Sequence, residues 1–63
     1  MERLYCTLNT RKPSIIIDGA THNVASIKPE LPKNRTFEFW GILQGTHFVR
    51  GKIGKHIAII ELA

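Results

Sequence analysis

Paired cysteines, long apolar runs and acidic residues are all scarce in this chain, and each shortage removes a class of explanation. The single Cys6 excludes an internal disulfide. No Cys-x-x-Cys or His-x-x-x-His spacing is present, so the sequence has no zinc-binding pattern. No apolar stretch approaches the ~20 residues of a membrane-spanning helix. The N-terminal residues MERLYCTLNTRK lack the apolar run that follows the charges of a signal peptide. Together these shortages predict a soluble, cytoplasmic protein without membrane contact.

Helix-forming sequence is also missing. The hydrophobic fraction is 43%, enough for a folded domain, but isoleucine leads it and β-branched residues favour strands. Sixty-three residues make one domain, close to the size at which a single core is barely sufficient, so stabilisation by a partner chain is expected. Nine Lys and Arg stand against five Asp and Glu, a formal charge of +4, which puts nucleic acids, nucleotides and acidic proteins among the partners to consider. The competing reading of that charge is a solvated surface.

The chain punctuates itself into strands. Arg3 to Asn9 alternates, with Leu4, Cys6 and Leu8 on one side and Arg3, Tyr5 and Thr7 on the other. Pro13 ends the turn that carries Arg11 and Lys12. Ser14 to Ile17 is a short strand closed by Asp18-Gly19, a pair suited to a hairpin turn. Asn23 to Lys28 alternates weakly, Val24 and Ser26 against Ala25 and Ile27, and reads as a strand, with a helical turn as the alternative. Pro29 and Pro32 then make Lys28 to Arg35 an exposed loop bearing Lys33 and Arg35.

The C-terminal residues Thr36 to Leu62 predict a three-stranded antiparallel meander: Thr36 to Gln44, Phe48 to Ile53 and His56 to Leu62. A two-residue loop at Gly45-Thr46 would turn Arg50 and Lys52 toward Phe37 and Phe39, burying unpaired cations at high cost. A three-residue loop, Gly45-Thr46-His47, places Phe37, Phe39, Gly41, Leu43, Val49, Gly51 and Ile53 on one uncharged face. That register pairs Ile42 with Arg50 and Trp40 with Lys52, and sets Gly41 opposite Gly51, a sign of a bend or a close backbone approach. Gly54-Lys55 turns into the last strand and adds Ala58, Ile60 and Leu62 to the same face.

The other face then collects Trp40, Ile42, Phe48, Ile57 and Ile59, with Glu38, Arg50, Lys52 and Glu61 for water. An apolar surface of that kind is normally covered, either by residues 3–28 or by a second copy. The expected fold is therefore all-β, a small antiparallel barrel or sandwich of five to six strands with the C-terminal meander as its core, and at least dimeric. Its size and strand content resemble those of small SH3-like and OB-like barrels in a general way. No motif of either is matched, so no residue roles transfer.

The chain offers few groups for chemistry. His47 and His56 fall at opposite ends of one strand, roughly 25 Å apart at about 3.3 Å per residue, so one chain cannot bring both to one metal. Cys6 alternates with Leu4 and Leu8 and reads as a core residue rather than a nucleophile. The residues GKIGK lack the spacing of a phosphate-binding loop and read as a hairpin. No enzyme, metal or cofactor is expected. What stands out is a mixed aromatic and basic surface: Trp40, Phe48, Arg50, Lys52 and Lys55, with the loop cations Arg11, Lys12, Lys33 and Arg35. Aromatic faces stack bases and cations neutralise phosphates, so these nine residues are the candidate site for nucleic acid or a nucleotide. The alternative is an adaptor or inhibitor that docks on a protein through the apolar face or a strand edge.

Overall fold

The computed structural model describes residues 2–63, which form six strands: β1 (Leu4–Asn9), β2 (Ser14–Ile17), β3 (Ala20–Lys28), β4 (Thr36–Gln44), β5 (Phe48–Ile53) and β6 (His56–Leu62). All pairings are antiparallel, and the order β1-β2-β3-β6-β5-β4 closes into a barrel because β4 returns to β1. The chain is thus two meanders, β1–β3 and β4–β6, joined along β1–β4 and β3–β6. No described helix is long and apolar enough to cross a membrane.

Turn chemistry sets the registers. Asp18 and Gly19 both take positive φ, 50° and 85°, as a two-residue turn whose twist matches its strands requires. Gly54 alone is positive in the Gly54-Lys55 turn, the arrangement that favours glycine first. The loop between β4 and β5 is the three-residue Gly45-Thr46-His47, with Gly41 opposite Gly51 and Ile42 opposite Arg50. In this register Arg50 and Lys52 are exposed while Val49, Gly51 and Ile53 are buried, as the cost of burying unpaired charge requires.

Two features let so few strands close. β4 pairs with β1 through its first half and with β5 through its second, and the two ladders meet at Gly41. β3 does the same between β2 and β6, and its register shifts between Val24 and Ser26. Simple alternation puts Val24 and Ile27 on opposite faces; the bulge at Ala25 changes the phase, so that both pack against the core. The strand also begins at Ala20, earlier than the weak alternation from Asn23 suggests.

The core is Cys6, Leu8, Ile15, Ile17, Phe39, Val49, Ile53, Ala58 and Ile60. Both meanders contribute to it, so the C-terminal one is half of the core rather than all of it. Leu43, expected inside, is exposed because it lies beyond Gly41 near the barrel rim, and Phe37 is only partly buried. Leu31 packs against the core from the connection between β3 and β4. No polar side chain among the described residues is buried.

Antiparallel order fixes where the connections emerge. Those after β1, β3 and β5 open on one end of the barrel, and those after β2 and β4 on the other. Thr10 ties two of the first group together. Its hydroxyl lies 2.8 and 3.0 Å from the carbonyl oxygens of Pro32 and Arg35 and accepts from the Arg35 N–H at 3.0 Å. The Thr10 N–H donates to the Arg35 carbonyl at 2.9 Å.

Candidate functional site

β1 to β3 complete the barrel edge to edge, so they do not cover the outer face of the second meander. Tyr5, Trp40, Phe48, Ile57 and Ile59 all remain exposed. Alternation puts them there: the residues between them in sequence fill the interior, and each strand has only two sides.

Trp40, with 56% of its surface exposed, is the centre of this face. Opposite it on β1 lies Tyr5, whose ring meets the indole edge-on, centroids 5.2 Å apart at 66°. The Arg3 guanidinium carbon lies 5.8 Å from the indole centroid, within the range of a cation–π contact. Beside the indole is a depression of about 280 Å³ lined by Arg3, Trp40, Ile42, Gln44, Arg50, Gly51, Lys52 and Ile57. Arg50 stands between Ile42 and Ile59 across the ladders, and Lys52 stands opposite Ile57. None of these lining residues is an acid.

The acids of the face are set to its sides. Partial desolvation and the neighbouring Glu38 carboxylate push the Tyr5 phenol above its usual range. Glu61 accepts a hydrogen bond from the Ser26 hydroxyl at 3.1 Å and stands opposite Phe48. Phe48 is therefore on the expected face but outside the depression.

The nine candidate residues divide into two places. Trp40, Arg50 and Lys52 share the depression, with Phe48 beside it. Arg11, Lys12, Lys33, Arg35 and Lys55 lie in the connections after β1, β3 and β5, at one end of the barrel, and are all exposed. Sequence reasoning left Arg3 out of the site. Its signal was available, because Arg3 alternates in phase with Tyr5, but only the β1–β4 ladder shows that this phase faces Trp40. Ile57 is already on the Trp40 face by register, whereas Gln44, at the end of β4, carries no comparable signal.

The other reactive groups are elsewhere. Cys6 is buried, and burial pushes its thiol up while a backbone hydrogen bond with Gly41 acts the other way. His47 is in the connection at one end of β5 and His56 begins β6 at the other. Among the described residues, no three His, Cys, Asp or Glu side chains are grouped closely enough to hold a metal ion. The chain matches no protein-family model, no curated protein and no solved structure.

Proposed function

We propose that this is a non-enzymatic, cytoplasmic binding protein that takes an anionic ligand, single-stranded nucleic acid or a nucleotide, on the Trp40 face. The observation that carries the reading is the depression: an exposed indole with three cations, Arg3, Arg50 and Lys52, and no acid in its lining. The indole offers a stacking surface that accepts any base, and the cations offer phosphate contacts. The Tyr5 ring and Arg3 hold the indole in place, which reduces the ordering cost of binding.

Trp40 is the sole tryptophan, so its fluorescence reports directly on the site. Titration with a short oligothymidylate should quench it. Three phosphate contacts predict a slope of about −2 in log K against log salt, at roughly −0.7 per contact for single strands. Trp40→Ala should weaken binding by about 1–3 kcal/mol, the usual value of one stacked base. Absence of quenching at low salt, or binding indifferent to salt, overturns the proposal.

A second reading has its own support: five large hydrophobic side chains are exposed on this one face. Under it the face docks a protein, another copy of the chain included, with the cations snorkelling at the rim. Trp40→Ala then abolishes capture or self-association, and charge reversal at Arg50 and Lys52 matters less. Molar mass in solution tests self-association, which either reading allows, and the ratio of absorbance at 260 and 280 nm tests for bound nucleic acid, which only the first expects.

A further inference from the structure

The basic connections form a surface of their own. The three on one end of the barrel, residues 10–13, 29–35 and 54–55, hold five of the nine Lys and Arg and a single acid, Glu30. The two turns at the other end hold one charged residue, Asp18. This polarity was invisible while the cations were spread along the sequence, because only the antiparallel order brings these three connections to one end.

The end is also built rather than loosely draped. Four backbone and hydroxyl contacts of Thr10 bind the connection carrying Arg11 and Lys12 to the one carrying Lys33 and Arg35. The Arg11 N–H is held in turn by the Asn9 side chain at 2.9 Å. Asn34 takes a left-handed conformation, φ 62°, between Lys33 and Arg35, and Leu31 anchors the same connection in the core. Like charges gathered at one end of a small barrel repel one another, and an anion relieves that repulsion.

We infer that this basic end is a second contact region for single-stranded nucleic acid, tracking its backbone while the Trp40 depression stacks its bases. The inference rests on the proposed function for the nature of the ligand. It adds that the strand leaves the depression toward the end marked by Lys55, since Lys52, which lines the depression, lies three residues before Lys55 in the chain. Thr10 is a positioning residue in this scheme. It touches no ligand and holds two cationic connections in one arrangement.

Ligand length tests the inference. Labelled oligothymidylates of about 4 and about 16 nucleotides span the usual range of small-barrel sites. Both are titrated against the intact chain and against a variant with Arg11, Lys12, Lys33, Arg35 and Lys55 all changed to Gln. These side chains are exposed, and a thermal melt checks that the variant is folded. The short probe should bind the two proteins within about twofold, because it reaches only the depression. The long probe should bind the variant at least tenfold more weakly, with a salt slope shallower by about 0.7 per lost phosphate contact.

Thr10→Val should weaken the long probe severalfold while leaving its salt slope unchanged, and Thr10→Ser should restore it. Equal affinity and slope for the long probe in wild type and the five-site variant overturn the inference and leave the Trp40 reading standing. Binding of the long probe that disappears in the variant, with no Trp40 quenching by either probe, leaves the basic end standing and removes the depression. A long probe that binds neither protein overturns both.

Discussion

Gly51→Ala is the substitution from which the barrel argument has most to lose. A methyl group added at Gly51 comes within 2.5 Å of the Phe39 ring carbon Cε2 and 3.0 Å of the Trp40 carbonyl oxygen. Phe39 is a core residue and the Trp40 carbonyl belongs to the neighbouring strand, so neither moves freely. Overpacking of this kind costs about 1–3 kcal/mol. A domain of 63 residues at ~0.05–0.15 kcal/mol per residue has only about 3–9 kcal/mol in all. At ~4–8 °C per kcal/mol, the thermal midpoint should fall by about 5–20 °C. Gly41→Ala should cost less, because its contacts are less close, Val49 Cγ1 at 2.8 Å and Cys6 Sγ at 3.1 Å, and none is backbone. Melts of Gly51→Ala in wild-type and Phe39→Leu backgrounds make a double-mutant cycle. Removing the ring should cut the cost of the methyl group by about 1 kcal/mol or more. The same cost in both backgrounds would refute the claim that the Phe39 ring is what demands a glycine at position 51.

Cys6 is fully buried with its thiol pushed up, so a thiol reagent should modify it only on the timescale of opening, and modification should become immediate in denaturant. The Tyr5 phenol should titrate above the free side chain, and Glu38→Gln should bring it part of the way down, leaving the share due to desolvation, as read from phenolate absorbance. Because the folded pKa lies above the unfolded one, the unfolded chain loses this proton first, so stability falls as pH rises from the unfolded value through the folded one. Leu8→Ala removes a fully buried side chain and should cost about 2–5 kcal/mol, read as a lower midpoint in denaturant titrations at room temperature. Polyphosphate should raise the thermal midpoint more than sodium chloride of equal ionic strength, and the five-site Gln variant should lose that difference.

The fold was legible where burial of charge could choose between registers. Arg50 and Lys52 had to reach water, and that alone set the β4–β5 loop at three residues and brought Gly41 to Gly51. β3 was harder, because a single extra residue, Ala25, changes the phase halfway along, and period-two alternation carries no sign of a bulge. Of the two covers expected for the Trp40 face, β1 to β3 or a second copy, the first does not occur, for a topological reason. A closed barrel spends each new strand on an edge, and edges leave faces bare. For the site, residue types were readable and grouping was not. Arg3 meets Trp40 only through the β1–β4 ladder, Lys55 joins the other loop cations only through the strand order, and Thr10, an ordinary threonine in sequence, matters only because Pro32 and Arg35 fold back onto it.

The pairing order also says how the molecule comes apart. Each meander is made only of hairpins between successive strands, and the two halves meet along two ladders: β1–β4, from Leu4–Gly41 to Asn9–Thr36, and β3–β6, from Val24–Leu62 to Lys28–Ile59. Their only covalent link is residues 29–35. Hairpins close quickly and the ladders between halves close late, because they must gather distant segments. A chain cut within that link keeps every strand pairing, so its two fragments should reassemble when mixed. By the same geometry, the N-terminal half of one molecule can dock on the C-terminal half of another, giving an exchanged dimer that needs no new interface.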